Sequence, residues 1–208
     1  MEQNIRKLGI MGGTFDPIHI GHLVTAEAVR MEYGLDVVLF VPAGHPPHKS
    51  DALITPMLHR YNMTVMATCS NPFFYVSSIE MERSGPSYTI DTVKELIKQY
   101  GEQTEFYFIT GTDTIHELPT WHNITELLQL CRFVGATRPG CNSMVDSIIE
   151  RFGKIGSQRI HHLATPELEI SSTDIRERIR EGRSIKYIVP ENVERYILKE
   201  NLYQYRSK

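Results

Sequence analysis

The chain has few cysteines, and no arrangement of them points to a site. Cys69, Cys131 and Cys141 are the three cysteines in 208 residues, an odd number, and no Cys-x-x-Cys pair occurs. A disulfide framework or a thiolate zinc site is therefore not indicated. We expect all three to be ordinary buried or half-buried side chains.

Long apolar runs and an excess of positive charge are also missing. The longest nearly continuous apolar run covers residues 37–43, whereas a membrane-spanning helix needs about 20 apolar residues. Glu2 and a glycine-rich turn occupy the places where a secretory signal would have its apolar stretch and cleavage site. The formal net charge of -3 offers no general basic surface for nucleic acid. These absences predict a cytoplasmic protein with no membrane or nucleic-acid partner.

No repeat, low-complexity tract or flexible linker divides the chain, so we expect one domain over residues 1–208. Short runs of β-branched and aromatic residues predict strands, and they alternate with longer segments of helical period. This alternation predicts an α/β fold, a Rossmann-like doubly wound parallel sheet, with a small C-terminal helical part over about residues 171–208. The predicted strands cover residues 8–11, 37–41, 73–79, 106–109, 133–136 and 160–163.

The ends of these strands are the first place to look for a ligand. In a doubly wound sheet the ligand binds outside the carboxyl ends of the strands, so the residues that follow them should cluster. Gly111 and Asp113 follow the fourth predicted strand, and Asp113 would either accept hydrogen bonds from ribose hydroxyls or cap a helix. Arg138 follows the fifth strand and is a candidate nucleotide ligand.

Residues 12–22, which we call the glycine–histidine segment, join the first strand to a predicted helix. Gly12 and Gly13 let backbone N–H groups approach a ligand closely, and the helix that begins near residue 20 favours an anion at its start. His19 and His22 are three residues apart and share a face of the first turn. The alternatives are an ordinary tight turn and a His-x-x-His metal site, for which no third ligand is near in sequence. The segment fits neither a Walker A loop nor a dinucleotide fingerprint.

Residues 170–176, which we call the Ser-Ser-Thr segment, predict a second helix start. Ser171 and Asp174 have the spacing of a capping box, so Ser172 and the first-turn N–H groups should face outward. Arg176 offers a fork of donors that suits phosphate oxygens. The alternative is a well-capped surface helix without a ligand.

Two further stretches carry residues suited to an acceptor molecule. Lys49 follows the second strand on a proline-rich loop and is a candidate phosphate ligand, or else a solvated side chain. Thr89 precedes or begins a helix. Trp121, the only tryptophan, would stack on an aromatic ligand ring or fill a gap in the core, and His122 follows it.

These segments together resemble a known family. The glycine–histidine segment fits Gly-x-Phe-x-Pro-x-His-x-Gly-His, and the Ser-Ser-Thr segment fits Ile-Ser-Ser-Thr-x-Ile-Arg. Both motifs are typical of the nucleotidyltransferase superfamily that is similar to class I aminoacyl-tRNA synthetases. With Pro-Pro-His-Lys, Pro-Ser-Tyr-Thr-Ile-Asp-Thr and Leu-Pro-x-Trp in addition, nearly the whole chain looks like a bacterial nicotinate-mononucleotide adenylyltransferase.

The resemblance implies roles for individual residues. It implies catalytic roles for His19, His22 and Arg176, stacking of Trp121 on a pyridine ring, and binding of the nicotinate carboxylate by backbone N–H groups near Thr89 and at His122. At position 122 family members often have an aromatic residue such as tyrosine. Together with the strand-end positions, the predicted ATP-binding residues are Gly12, Gly13, Thr14, Phe15, His19, His22, Gly111, Asp113, Arg138, Ser171, Ser172 and Arg176. The predicted residues for nicotinate mononucleotide are Lys49, Thr89, Trp121 and His122.

The resemblance also implies a reaction, the transfer of AMP from ATP to nicotinate mononucleotide in NAD synthesis. The acceptor phosphate would attack directly, without a covalent enzyme intermediate. Mg²⁺ would be held mainly through the ATP phosphates, with no metal site made by the protein itself. A homodimer contact through the last helix remains open. The rivals are a sister enzyme with another acceptor and a nucleotide sensor without turnover, whereas a tRNA synthetase fragment fails on length.

Overall fold

Six parallel strands form one sheet in this computed structural model, which describes residues 5–46, 54–137, 142–166 and 168–204. The strand order is β3-β2-β1-β4-β5-β6, and all five pairings are parallel. The predicted fold class is therefore confirmed. The strands are β1 (Lys7–Gly13), β2 (Val37–Pro42), β3 (Phe74–Val76), β4 (Glu105–Gly111), β5 (Arg132–Thr137) and β6 (Ile160–Ala164).

Helices connect the strands and follow the last one. The bounds are α1 (Ile20–Tyr33), α2 (Met57–Thr68), α3 (Thr89–Tyr100), α4 (Thr112–Glu117), α5 (Ile124–Leu130), α6 (Asn142–Arg151), α7 (Gly153–Arg159), α8 (Ser172–Arg180) and α9 (Glu191–Lys199), with a short 3-10 turn at Leu118–Thr120. Each predicted strand falls on an observed one. The third is shorter than predicted, because only three residues pair with β2 before the chain turns away.

Both faces of the sheet are buried, as parallel strands with helices on each side require. Along β1, Leu8 and Ile10 belong to one apolar cluster and Met11 to the other. Helices α3, α5 and α6 cover the first face, and α1, α2, α8 and α9 cover the second. Each fully buried Leu, Ile or Phe side chain contributes about 1.5–3 kcal/mol to folding, so the two clusters together hold the strand ends in fixed positions.

The direction of winding changes between β1 and β4. The chain builds β2 and β3 on one side of β1, and then returns to build β4, β5 and β6 on the other side. A crevice must open at this reversal, because the connections after β1 and β4 leave in opposite directions. Gly12, Gly13 and Gly111 lie at the carboxyl ends of these two central strands.

The C-terminal helices pack on the same cluster as the glycine–histidine segment. Ile175 of α8 and Val193 and Ile197 of α9 are fully buried in the cluster that contains Phe15. Pro190 lies just before α9, at its N-cap.

The structure also bears on the expected burial of the cysteines and on membrane-spanning helices. Cys131 is buried as expected, whereas Cys69 is exposed at the end of α2, so the prediction for Cys69 is wrong; Cys141 lies outside the described residues. Among the described residues no helix is long and apolar enough to cross a membrane.

Candidate functional site

The glycine–histidine segment turns sharply after β1 and is held by its own aromatic side chain. Phe15 has a positive φ of 50° and is 2% exposed, and its ring packs against Phe40 and edge-on against His22. A Cβ added at Gly13 would lie 2.9 Å from the Phe15 ring, closer than real Cβ atoms approach. Gly13 is therefore required for this turn, and the backbone of the segment faces the crevice with no side chain in between.

The two histidines are fixed relative to each other at the start of α1. The ring centroids of His19 and His22 are 3.7 Å apart, with 32° between the ring planes. The backbone N–H of His19 donates to Nδ1 of His22 at 3.2 Å. Because Nδ1 accepts, the proton of a neutral His22 ring must be on Nε2. His22 therefore has one N–H donor available for an anion.

Both imidazoles are neutral near pH 7. Burial lowers the pKa of His19 to about 4. Burial, and secondarily the charge of His19, lower the pKa of His22 well below its ordinary value. Two rings this close can both stay in place only if they are not both charged, which the lowered pKa values ensure. The pair can donate hydrogen bonds to phosphate, but it does not attract an anion as a double cation would.

Helix α8 begins as the sequence predicts and docks on the glycine–histidine segment. Ser171 is its N-cap and accepts from the N–H of Asp174 at 3.1 Å. Ser172 does not face outward as expected, because its hydroxyl donates to the carbonyl of Pro17 at 2.9 Å. Nη1 of Arg176 donates to the carbonyl of Asp16 at 2.7 Å. The two predicted phosphate segments are thus directly bonded to each other, through residues that are 155 and 160 positions apart in sequence.

A cavity of about 490 Å³ borders the first residues of the same segment, at the reversal between β1 and β4. It is of a size that holds a small organic ligand. The lining comes from the carboxyl ends of β1 and β4 and from the residues that follow β1 and β2, as expected from the positions of the strand ends. It includes Gly12, Gly13, Thr14, Ala43, Thr110 and Trp121.

Three residues that are predicted to bind the acceptor, Thr89, Trp121 and His122, line this cavity. Thr89 is the first residue of α3, and His122 follows Trp121. In the described part of the chain neither backbone N–H, of Thr89 or of His122, has a hydrogen-bond acceptor. The ring centroids of Tyr88 and His122 lie 4.6 Å apart, so the start of α3 is next to the chain that follows Trp121. Two residues with unbonded N–H groups thus line the cavity, where an anionic group would satisfy those donors.

Trp121 is both a core and a cavity residue. Its ring packs edge-on against Phe108 at 5.6 Å and Phe133 at 5.9 Å. It is half-buried and lines the cavity. Packing in the core therefore describes part of its environment, because edge contacts with Phe108 and Phe133 hold the ring. Trp121 also borders the open space, and its stacking on a ligand ring stays a prediction.

Three of the predicted site residues have no described side chain. Lys49 and Arg138 lie outside the described residues. The backbone of Asp113 belongs to α4, after the exposed Gly111, and its side chain is also outside the description. The prediction that Arg138, after the fifth strand, belongs to the same cluster therefore stays a prediction.

Two buried charged residues near the cavity were missed from sequence. Arg60 of α2 is 2% exposed, and its guanidinium donates to the carbonyls of Thr14 and Thr55. Glu80 is 8% exposed, lines the cavity and accepts from the N–H of Gly44 at 3.2 Å. The available signal was the spacing of Arg60 with Met63 and Ala67, which places an arginine on the buried face of α2.

The described residues suit a phosphate chain better than a bare metal ion. No three His, Cys, Asp or Glu residues of the described ranges lie together as a metal site. The carboxylate of Asp16, in the glycine–histidine segment, accepts from the hydroxyl of Tyr203 and from the N–H of Thr55. Asp16 is therefore already bonded within the protein.

Comparison with known proteins gives concordant matches. The cytidylyltransferase-like family model matches residues 10–178. A Thermoanaerobacter sp. (strain X514) protein named "Probable nicotinate-nucleotide adenylyltransferase" is 57% identical over 98% of this chain and 97% of its own length. A Moorella thermoacetica protein of the same name is 51% identical over 96% and 93%.

Solved structures share the fold. The nicotinic acid mononucleotide adenylyltransferase of Plasmodium falciparum, complexed with NaAD, has a TM-score of 0.76 and 24% identity over 95% of this chain and 97% of its own. The same protein complexed with APC has a TM-score of 0.74 and 23% identity. At this identity the likeness concerns the fold alone.

Proposed function

The chain belongs to the nicotinate-nucleotide adenylyltransferases, within the cytidylyltransferase-like family, and from this premise we propose how its site transfers AMP from ATP to nicotinate mononucleotide. The products are nicotinate adenine dinucleotide, the deamido form of NAD, and pyrophosphate. Because ATP is a substrate, the cytoplasm is the compartment that we propose for the enzyme.

One observation carries the assignment of the site. The first residues of the glycine–histidine segment, Gly12, Gly13 and Thr14, line the open cavity. The same short segment goes on to the histidine pair and to the carbonyls that bond to α8. An acceptor in the cavity would thus lie next to a triphosphate held by the histidines and α8. A reaction that joins two phosphate-bearing molecules needs this adjacency, because most of its rate enhancement comes from positioning and charge stabilisation.

In the proposed mechanism an oxygen of the acceptor phosphate attacks the α-phosphorus of ATP. A new phosphorus–oxygen bond forms, the bond from the α-phosphorus to the bridging oxygen breaks, and pyrophosphate leaves with that electron pair. No protein nucleophile is needed, because the attacking oxygen is already ionised at neutral pH. His22 donates from Nε2 to a phosphate oxygen, and the remaining N–H groups of Arg176 hold the leaving group.

The metal would come with the nucleotide. Mg²⁺, bound by phosphate and water oxygens, would neutralise part of the charge that develops on the leaving pyrophosphate. The residues of this chain contribute hydrogen-bond donors around the phosphates, at His19, His22, Ser172 and Arg176.

The cavity supports an acid acceptor over its amide. The N–H groups of Thr89 and His122 would both donate to a carboxylate. A carboxamide would present an NH₂ to one of them and leave a donor unpaired, which costs about 1–3 kcal/mol. Stacking of the pyridine ring on Trp121 would add to the affinity for either acceptor.

Pyrophosphate release tests the proposal. The purified protein is mixed with ATP, Mg²⁺ and either nicotinate mononucleotide or nicotinamide mononucleotide, with ATP alone as the control. We expect release with the acid and at least about fivefold less with the amide, as one unpaired donor implies. Equal release with both would keep the reaction and refute the carboxylate-binding role, whereas release with neither would refute the proposed function.

A further inference from the structure

Arg60 is a fully buried arginine, and three of its hydrogen bonds reach backbone carbonyls of loops around the site. Nε donates to the carbonyl of Thr55 at 2.9 Å, Nη1 to that of Thr14 at 2.8 Å and Nη2 to that of Gly44 at 3.4 Å. A buried guanidinium is costly to desolvate. A side chain that serves only to fill α2 against the core would not need this charge.

The three carbonyls belong to different parts of the site. Thr14 lies in the glycine–histidine segment and borders the cavity. Gly44 lies between Ala43 and Pro46, which border the cavity from the end of β2. Thr55 is tied back to the glycine–histidine segment, because its N–H donates to Asp16. One rigid guanidinium therefore ties the glycine–histidine segment to the loop that follows β2, and both of these border the same cavity.

Glu80 holds the same loop from the opposite direction. Its Oε2 accepts from the N–H of Gly44, and its Oε1 accepts from the hydroxyl of Thr92 in α3 at 2.7 Å. A Cβ at position 44 would lie 2.3 Å from the Glu80 carbonyl, so the fit there is tight. A chain of hydrogen bonds thus runs from Thr14 through Arg60, Gly44 and Glu80 to the helix that begins with Thr89.

We propose that Arg60 is a positioning residue for AMP transfer, and that with Glu80 it sets the separation between the two substrate-binding sides of the crevice. The inference rests on the proposed function. Arg60 acts through Thr14 and Gly44 and contacts neither substrate. In-line attack requires the acceptor oxygen and the α-phosphorus to be aligned, and a shift of about 1 Å can reduce the rate roughly 100-fold. Substrate affinity depends less on this alignment, since each side binds its own ligand.

The variant Arg60→Lys tests the proposal, because lysine keeps the charge but lacks the planar fork that spans several carbonyls. We expect kcat to fall roughly 10- to 100-fold, with the KM of each substrate within about threefold of the original. Arg30→Lys is the matched control, since Arg30 is a largely buried arginine on α1 paired with Glu27 away from the cavity. It should keep its kcat within about twofold.

Rescue separates positioning from stability. Guanidinium ion added to Arg60→Ala should raise kcat at least about threefold, at concentrations that leave the melting temperature unchanged. The proposal is overturned if kcat of folded Arg60→Lys decreases by less than threefold, or if the substitution changes KM and leaves kcat unchanged.

If neither Arg60 variant folds, Glu80→Gln decides the question, because this substitution weakens the hydrogen bond to Gly44 and leaves Arg60 in place. Its kcat should fall at least threefold, and an unchanged kcat overturns the proposal. The original protein is assayed first, so that a failure of the proposed function is recognised separately.

Discussion

The two sides of the crevice differ in how far their polar groups are already bonded to protein. On the acceptor side, the N–H groups of Thr89 and His122 border an open cavity and have no acceptor within the described ranges. On the phosphate side, Ser172 and Arg176 already donate to the carbonyls of Pro17 and Asp16, and Nδ1 of His22 already accepts.

The acceptor side is therefore ready to bind a ligand, whereas the phosphate side uses hydrogen bonds within the protein to hold its two segments together. The acceptor side offers vacant donors, so a ligand gains their hydrogen bonds without breaking others. The phosphate side uses part of its hydrogen-bonding capacity to bring two distant segments together. Ser172 must give up its bond to Pro17 before it can donate to a phosphate, whereas Arg176 keeps further N–H groups. Changes on the phosphate side should therefore alter kcat, and changes on the acceptor side should alter KM.

The largest effect is expected at His22. His22→Ala removes the Nε2 donor that the bond from His19 leaves available, and we expect kcat to fall by roughly 10²–10³, the scale for one such donor. Steady-state pyrophosphate release measures it. His162→Ala on β6 is the control and should change kcat by less than about twofold. A loss below threefold for His22→Ala would exclude that side chain from the chemistry.

The second-largest effect is expected for substitution of Trp121, on the KM of nicotinate mononucleotide. Trp121→Ala should raise the KM of nicotinate mononucleotide by roughly 5- to 150-fold, because stacking on an aromatic ring contributes ~1–3 kcal/mol. The KM of ATP should stay within about threefold. Trp121→Phe keeps a smaller ring and should fall between the two. Equal increases in both KM values would mean that Trp121 only packs against Phe108 and Phe133.

A smaller effect is expected at Arg176. Arg176→Lys keeps the charge but cannot bond Asp16 and a phosphate with one planar fork, so we expect kcat to fall by about tenfold. Arg178→Lys is the matched control on the same helix, since Arg178 bonds to Asp174 and does not touch the glycine–histidine segment. Equal kcat values for the two variants would contradict the phosphate-binding role of Arg176.

The smallest effect concerns the stability of the free protein at low pH. With a pKa of about 4 when folded and near 6.5 when unfolded, His19 takes up its proton more readily in the unfolded chain. Its neutral form therefore stabilises the fold fully above pH 6.5, and this contribution is lost as the pH falls towards 4.

Between pH 7.5 and 5.5 the loss from His19 should be about 1 kcal/mol, or roughly 2–4 °C in melting temperature. His22 acts in the same direction. Thermal unfolding at the two pH values measures the loss, and His19→Asn should reduce the pH dependence by about that amount. An unchanged slope in His19→Asn would mean that His19 is not buried in its neutral form.

Much of the fold was predictable because its signals are local. Strands appear in the sequence as short runs of β-branched, aromatic and other apolar residues, so all six were found. The length of β3 was not, since pairing with Val38–Phe40 decides where it ends. The Ser171 cap was also predictable, because its hydrogen bond joins residues three apart.

The residues of the candidate site also fall into those that were predictable from the sequence and those that were not. The glycines, histidines and tryptophan stand out in sequence because each fits a short pattern. Arg60 and Glu80 do not, since their partners Thr14, Gly44 and Thr92 are between 12 and 46 residues away. The inward bond of Ser172 to Pro17 spans 155 residues and was equally beyond local inference.

The sequence by itself determined the alternation of strands and helices, the turn that requires Gly13, and the residue types able to bind phosphate. Each of these depends on neighbours within a few positions. Only the tertiary structure decided that α8 bonds to the glycine–histidine segment, and that Arg60 bonds to the loops that follow β1 and β2. The physical reason is that hydrogen bonds and packing act over a few ångströms in space, and winding the sheet outward from β1 in both directions brings distant residues within that range.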